Sequence, residues 1–229
     1  MKKIFLYGLM LCTTVMGMTS CSKDEEHTDS KVTHFAIIEL EGDDFMTLNV
    51  GEPYVEPGYT AMEGTEDITS KVVVSGTVDS NTGDFYTLTY TAANKDNFSA
   101  SAQRTVMVKN PNGLASAYFG ESQFGSRHYY DAPIVIYDNG DGTFTIDDIA
   151  GGFYCYGRYP GYEPTYDFHL ESIIKLNADN TIELVDQNPD DWYWGESISI
   201  TNGTYDPETG IVTLVLDFDG TPMYVTLTK

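Results

Sequence analysis

The sequence of 229 residues is poor in cysteine and in positive charge, and it has no long hydrophobic run. Its most apolar stretch, residues 4–15, follows Lys2 and Lys3 and is too short to span a bilayer as a helix. A basic start followed by a short apolar run is typical of a secretory signal peptide. The sequence therefore predicts export of the chain and removal of residues 1–20.

Small and apolar residues lead from this run into a cysteine. Met18, Thr19 and Ser20 precede Cys21, and the stretch resembles the lipobox at which a lipoprotein signal peptidase cleaves. The resemblance implies that Cys21 carries the lipid and begins the mature chain, so that membrane contact is made through the N-terminal lipid. Cys12 is the alternative acylation site, but using it would leave too short an apolar segment for export.

A short charged motif follows the predicted lipid attachment site. Lys23 with Asp24, Glu25 and Glu26 resembles the surface-export signal of Bacteroidetes lipoproteins. The resemblance implies the outer membrane, with the chain facing the exterior. The alternative is a solvated tether, because charge runs beside an anchor are often only flexible. Residues 21–33 as a whole are polar and without period, which indicates the acylated cysteine and an acidic flexible tether.

The cysteine count excludes an intramolecular disulfide. The chain has three cysteines; Cys12 leaves with the signal peptide and Cys21 takes the lipid, so Cys155 has no partner for a disulfide. We expect Cys155 to be buried as a small hydrophobic residue, and a reactive thiol is the alternative.

The negative net charge of the chain argues against binding to polyanions. The chain has 12 basic and 35 acidic residues, a formal net charge of −23. Such a surface repels nucleic acid and anionic lipid headgroups. No nucleic-acid partner is therefore predicted.

The N-terminal half of the mature chain indicates a β-sandwich. Short β-branched or aromatic runs are separated by Gly, Pro, Asp and Asn, at residues 35–40, 45–50, 71–75, 85–92 and 104–108. Residues 34–109 also resemble the bacterial immunoglobulin-like (Ig-like) domains of secreted and surface proteins. The matching motifs include Gly51-Glu52-Pro53-Tyr54, Glu56-Pro57-Gly58-Tyr59 and Phe85-Tyr86-Thr87-Leu88. The resemblance implies a spacer module.

The C-terminal half, residues 110–229, is predicted to be a second all-β domain. It follows the turn-rich Asn110 to Gly113 and contains about eight short strands in hairpin order, an antiparallel meander. Predicted turns include Asp138 to Gly142, Asn177 to Asn180 and Asn202-Gly203. A meander of this length must hide its edges, either as a lipocalin-like barrel or as a two-sheet sandwich.

The end of the chain adds a family resemblance. Gly203-Thr204-Tyr205-Asp206 and the last run Tyr224 to Leu227 look like the C-terminal domains, of unknown function, in Bacteroidetes surface lipoproteins that carry Ig-like modules. The genes of such proteins accompany glycan-utilisation systems. The resemblance therefore implies SusD-like and TonB-dependent transporter proteins as partners, and a glycan as ligand.

Aromatic residues interleaved with glycine form the most unusual stretch, between Phe153 and Phe168, and a second cluster follows at residues 192–194. Exposed aromatic rings can bind the C–H faces of sugars, while polar neighbours bond the hydroxyls. The candidate ligand-binding residues are Tyr156, Arg158, Tyr159, Tyr162, Tyr166, Trp192 and Trp194. The alternative is that these rings face a barrel core.

Other motifs are weaker. Asp138 to Gly142 resembles the start of a calcium loop but lacks the closing Glu, so a plain hairpin turn is favoured. The pairs Asp147-Asp148 and Asp190-Asp191 could serve a glycosidase, but paired carboxylates arise by chance in an acidic chain. The histidines lack metal-ligand spacing, and nucleophile and nucleotide motifs are absent. No enzyme activity, cofactor or metal is predicted.

Three functions remain open. The favoured one is a non-catalytic accessory or glycan-binding lipoprotein of a polysaccharide-capture system. The second is a lipocalin-like protein that holds a small apolar ligand inside the barrel. The third is a protein-contacting subunit of a surface complex.

Overall fold

The computed structural model describes residues 32–162, 165–187, 193–195 and 197–229. The predicted signal peptide, Cys21, the export motif Lys23 to Glu26 and Trp192 lie outside these residues, so the expectations for them stay predictions. Within the described part of the chain, no helix is long and apolar enough to cross a membrane.

Two sheets form the N-terminal region. The strands are β1 (Ala36–Leu40), β2 (Phe45–Asn49), β3 (Tyr59–Glu63), β4 (Glu66–Asp67), β5 (Val73–Ser75), β6 (Asp84–Ala93) and β7 (Ser99–Lys109), with a short 3-10 helix at Thr69–Lys71. One sheet has the order β1-β3-β4 and the other β2-β7-β6-β5. Strand β2 runs parallel to β7, and the other pairs in these sheets are antiparallel. The predicted all-β fold is confirmed.

A buried polar network lies between these two sheets. The fully buried Arg104 guanidinium donates to the carbonyls of Glu41 (2.8 Å) and Gly58 (3.2 Å) and lies 3.3 Å from the Glu56 carboxylate. The Tyr54 and Tyr90 hydroxyls also donate to Glu56. Burial opposes the charge on Glu56, but these donors outweigh it and lower the pKa of the carboxyl group. The network fixes the polar centre of a module whose apolar core is small.

The C-terminal strands follow the chain around a nearly closed barrel. They are β8 (Ser116–Phe124), β9 (Arg127–Asp138), β10 (Phe144–Ile146), β11 (Ser172–Leu176), β12 (Ile182–Gln187), β13 (Ser199–Tyr205), β14 (Val212–Phe218) and β15 (Thr221–Thr228). Each pairs with its sequence neighbour except at β12 and β13, and the last strand β15 pairs with the first, β8. The predicted eight-stranded meander is confirmed, and its form is barrel-like.

The gap between β12 and β13 is here called the seam. In the part of the chain that the structure describes, one isolated backbone bridge, Thr181 to Thr204, joins its two sides at one end. At the other end the Gln187 side-chain oxygen accepts the amide N–H of Ile198 at 2.8 Å. Among the described residues, backbone pairing across the seam is therefore confined to its Thr181 end.

The structure corrects the predicted turn at Asn202-Gly203. These residues lie inside β13, next to a shift in register. A Cβ atom on Gly203 would lie 2.6 Å from the carbonyl oxygen of Ile182. The glycine is needed for close approach across the seam and makes no reversal of the chain.

The predicted hairpins at Asp138 to Gly142 and Asn177 to Asn180 are confirmed by the pairing of β9 with β10 and of β11 with β12. In the first turn, Asp141 Oδ1 accepts from the amide (2.9 Å) and hydroxyl (2.6 Å) of Thr143. Asp179 makes the equivalent bonds to Thr181 in the second turn. The stretch that resembles a calcium loop is thus a turn whose carboxylate is already satisfied by its own chain.

Side chains fill the barrel interior. Alternate residues of the strands point inward, and the fully buried ones include Tyr118, Ile134, Ile146 and Leu214. The Tyr118 hydroxyl donates to the carbonyl of Leu114 at 2.6 Å, which satisfies the one polar group of that ring. The barrel is therefore a packed core.

The Ig-like region packs directly on the barrel. The rings of Phe45 and Phe85 lie 5.7 and 5.6 Å from the ring of Phe119 on β8. The Lys229 ammonium donates to the carbonyls of Asn110 (2.8 Å) and Gly113 (2.6 Å) in the connection between β7 and β8. Residues 34–229 accordingly form one compact unit.

Candidate functional site

A π-helix at Phe153–Arg158 begins the site. Gly151 and Gly152 precede it with positive φ angles of 62° and 79°, which favour glycine. The amides of Tyr156 (3.0 Å) and Gly157 (3.1 Å) both donate to the Gly152 carbonyl, and this shared acceptor widens the turn. A Cβ atom on Gly157 would collide with the ring of Tyr129. These glycines are thus required by the backbone conformation and by close packing.

A buried carboxylate holds both ends of the segment that carries the site. Asp148 is fully buried and accepts from the amides of Ala150 (3.0 Å), Gly152 (3.1 Å) and Leu170 (3.3 Å). The neighbouring Asp147 accepts from the amide of Val135 at 2.9 Å. Burial raises the pKa of Asp147 to about 7 and that of Asp148 to about 6. These bonds give the Asp147-Asp148 pair a structural role; Asp190-Asp191 lies outside the described residues.

Six aromatic side chains enclose a cavity of about 350 Å³, here called the aromatic cleft. They come from the segment after the π-helix and from the connection between β12 and β13: Tyr159, Tyr162, Tyr166, Phe168, Tyr193 and Trp194. Phe168 is buried and forms the floor, whereas Tyr162 and Tyr193 are 50% and 55% exposed. The cleft is therefore apolar at its base and open to solvent at its rim.

The rings of the aromatic cleft hold one another in place. Trp194 stacks on Phe168 with centroids 5.1 Å apart and planes 20° apart. Tyr193 meets Phe168 edge-on at 5.1 Å, and Tyr159 lies 5.0 Å from it. Such pairs stabilise by about 0.5–1.5 kcal/mol each beyond area burial. The cleft is thus largely preformed, although Trp194 keeps 38% of its surface exposed.

Comparison with known proteins gives a family. The profile of the Ig-like domain family of bacterial surface proteins matches residues 38–108, and the profile of a C-terminal domain family matches residues 109–229. The crystal structure of the lipoprotein BT2262 from Bacteroides thetaiotaomicron is 32% identical, with a TM-score of 0.59, over 85% of this chain and 100% of that one. The chain belongs to the BT2262 lipoprotein family.

More distant structures resemble this BT2262-like chain only weakly. A Clostridium perfringens ZmpB structure, described as CBM51-2 in complex with GlcNAc and INT domains, is 12% identical with a TM-score of 0.28, over 84% of this chain and 44% of that one. A Bacteroides ovatus structure of unknown function is 9% identical with a TM-score of 0.27, over 86% and 78%. At these scores neither carries an argument. No curated protein matches the chain.

The fold brings four of the predicted ligand-binding residues of this BT2262-like protein together in the aromatic cleft: Tyr159, Tyr162, Tyr166 and Trp194. The Arg158 guanidinium lies 5.2 Å above the ring of Tyr159, at the edge of the cleft. Tyr156 instead contacts His169, with ring centroids 5.7 Å apart. Their roles in binding stay predictions.

Sequence reasoning missed two residues of the aromatic cleft, Phe168 and Tyr193. Both lie in the aromatic clusters on which the predicted site was based, so the sequence indicated the region in which they lie. Composition could not say which rings share one face.

A cluster of different chemistry lies beside the cleft. Cys155, Asp167 and His169 each place a potential ligand atom within 4.8 Å of the other two. His169 Nδ1 lies 2.7 Å from Asp167 Oδ1. The absence of metal spacing among the histidines predicted no metal, but the fold gathers a cysteine, a carboxylate and an imidazole that the sequence keeps apart.

Proposed function

We propose that this BT2262-like protein is a non-catalytic, lipid-anchored component of a polysaccharide-capture system on the outer membrane surface, and that it binds a glycan in the aromatic cleft. The observation that carries the proposal is the cleft itself: six aromatic rings around about 350 Å³, with a buried floor and an exposed rim. Ligand pockets of roughly 300–1,000 Å³ are typical for small molecules.

The chemistry of the aromatic cleft fits a sugar. Ring faces provide flat apolar surfaces for the C–H groups of a pyranose, and the tyrosine hydroxyls at the rim can bond to sugar hydroxyls. Arg158 adds a donor fork at the edge of the cleft, 5.2 Å from the ring of Tyr159. The Arg158 guanidinium could thus bond to a sugar hydroxyl, while the stacking depends on the aromatic rings alone.

The two alternative functions have less support. An apolar ligand inside the barrel needs an interior cavity, whereas the interior is occupied by a packed cluster that includes Tyr118, Ile134 and Leu214. A protein-contacting role would use an exposed apolar surface, and the aromatic cleft is such a surface. The concave shape of the cleft and the ring-to-ring contacts within it favour a small rigid ligand over a flat protein face.

Binding can be tested with affinity gels and calorimetry, using soluble polysaccharides and their oligosaccharides. Trp194→Ala and Tyr162→Ala should each weaken binding about tenfold, because one stacked ring stabilises by roughly 1 kcal/mol or slightly more. Trp192→Ala tests the remaining predicted tryptophan. Tyr224→Ala is the matched control, since Tyr224 is 52% exposed on β15 and does not line the cleft. If no glycan binds, or if the control loses as much affinity, the proposal fails.

The anchor and its location need a separate test. Cys21→Ser should abolish incorporation of a labelled fatty acid and release the chain from the membrane fraction. Protease treatment of intact cells should degrade the wild-type protein if it faces the exterior. Survival of the intact chain would indicate a periplasmic protein and would remove surface capture of polysaccharide from the proposal.

A further inference from the structure

Three side chains beside the aromatic cleft form a potential metal centre. Cys155 lies in the π-helix, and Asp167 and His169 lie in the segment that leads into β11. Their ligand atoms all lie within 4.8 Å of one another. We propose that Cys155, Asp167 and His169 bind Zn²⁺, with water in the fourth position.

The ligand set favours zinc over a harder cation. A thiolate and an imidazole suit Zn²⁺, whereas Ca²⁺ and Mg²⁺ prefer ligand sets made of oxygen atoms. With bonds of about 2.0–2.3 Å, tetrahedral zinc requires ligand atoms about 3.3–3.6 Å apart. Ligand atoms that now lie up to 4.8 Å apart must approach by up to about 1.5 Å, while the 2.7 Å contact between His169 Nδ1 and Asp167 Oδ1 must open by about 0.6 Å or more. We expect rotation of the His169 and Asp167 side chains, which are 23% and 69% exposed, to supply most of both changes.

The three ligands are graded in exposure. Cys155 is 5% exposed, while the side chains of His169 and Asp167 are 23% and 69% exposed. The thiol therefore lies at the bottom and the carboxylate at the mouth, so solvent can deliver the ion and supply the fourth ligand. An open fourth position is the arrangement of zinc sites that keep a bound water.

The surroundings of the site favour a dication. His169 is close enough to Asp147 and Asp148 for their charges to interact. The Tyr156 hydroxyl lies 3.4 Å from His169 Nε2 and can orient the ring, as outer contacts do for metal-bound histidines. An oriented imidazole strengthens binding of a cation.

The proposed site is coupled to the aromatic cleft by the chain itself. Phe168, the floor of the cleft, lies between Asp167 and His169 in sequence, with its ring directed to Trp194. A metal bound to both neighbours fixes the backbone that carries this ring. Zn²⁺ would therefore act as a clamp that orders the floor of the cleft without touching a ligand in it.

Metal titration of the tag-free full chain tests the site. The protein is freed of metal with a chelator, then titrated with Zn²⁺ against a chromogenic competitor and with Co²⁺ by absorption spectroscopy. We expect about one equivalent of metal, and a thiolate-to-cobalt charge-transfer band in the near ultraviolet. Cys155→Ser should abolish the band, and Cys155→Ser and His169→Ala should each weaken Zn²⁺ binding about 100-fold or more, since each removes a direct ligand.

Controls separate the site from incidental binding and from misfolding. His128→Ala should bind normally, because His128 also pairs with a carboxylate, Glu121 at 2.7 Å, but is not part of the proposed ligand cluster. Asp167→Asn replaces the carboxylate of the most exposed proposed ligand and should weaken Zn²⁺ binding at least about tenfold even if Cys155→Ser fails to fold. Absence of binding, a cobalt spectrum without the thiolate band, or normal affinity in Asp167→Asn would each overturn the proposal. Glycan binding is not read in any of these measurements, so the two proposals can fail independently.

Discussion

Asp147 should make the protein more stable in mild acid than in mild base. Its pKa is raised from 3.8 to about 7, chiefly by burial. Because the pKa in the folded state is above the unfolded value, this contribution to stability is fully present below pH 3.8 and is lost as pH rises through about 7. Asp147→Asn replaces the carboxylate by a neutral group whose oxygen can still accept the N–H of Val135.

The size of the effect follows from the linkage between protonation and folding. From pH 5 to about 7 the folded chain keeps a proton on Asp147 that the unfolded chain has lost. At about 1.4 kcal/mol per pH unit, two units correspond to about 3 kcal/mol. The free energy of unfolding of Asp147→Asn, measured relative to wild type, should therefore be about 3 kcal/mol higher at pH 8 than at pH 5.

Urea denaturation followed by tryptophan fluorescence, at pH 5, 6, 7 and 8 with a chelator present, measures this difference. Asp179→Asn is the matched control, because hydrogen bonds from Thr181 lower the pKa of that exposed carboxyl group. Its ionisation is complete in both states above pH 5, so the control should show no slope relative to wild type. A difference between Asp147→Asn and wild type that does not change with pH would show that Asp147 is already charged in the folded protein, and the reasoning from burial would be refuted.

Three further substitutions test the fold. Gly203→Ala should destabilise the barrel by about 1–3 kcal/mol in urea denaturation, because the added methyl group meets the β12 backbone at the seam; an unchanged midpoint would contradict this. Glu56→Gln should lower the free energy of unfolding by about 2 kcal/mol at pH 7, because it leaves Arg104 buried without its counter-charge. This loss should shrink as pH falls below about 4.5, because the pKa of Glu56 is lowered in the folded state and only the ionised carboxylate stabilises it. Tyr118→Phe should cost about 1–2 kcal/mol at every pH because the carbonyl of Leu114 loses its donor, and a neutral result in thermal denaturation would argue against that bond.

Local chemistry explains why the hairpins could be predicted and the seam could not. The turn at Asp138 to Gly142 is built from bonds within a few residues, so its composition is a sufficient signal. Asn202-Gly203 repeats the Asn-Gly dipeptide of that turn, but its glycine is required by the close approach of Ile182 on a strand about twenty residues earlier. A single sequence gives no information on that approach.

The candidate site was predictable in its residue types but not in its arrangement. The two aromatic clusters indicated a surface for binding, and four of the candidate residues do line the cleft, three from the first cluster and one from the second. Where the rings of the first run lie depends on the backbone at Ala150 and Leu170, which the buried Asp148 carboxylate holds by hydrogen bonds. Phe168 faces the cleft, whereas its neighbours Asp167 and His169 lie near Cys155. The spacing of these residues in the sequence does not predict that they face different groups.

The position of the seam would link ligand binding in the aromatic cleft to opening of the barrel. The connection that crosses from β12 to β13 carries Tyr193 and Trp194, two walls of the cleft. A ligand bound by these rings would therefore restrain a segment that joins the two sides of the seam, and ligand binding and barrel opening would be linked equilibria. A ligand at one hundred times its dissociation constant would oppose opening by about 2.7 kcal/mol. Amide hydrogen exchange along β13 would then be slower when a ligand occupies the cleft than when the cleft is empty.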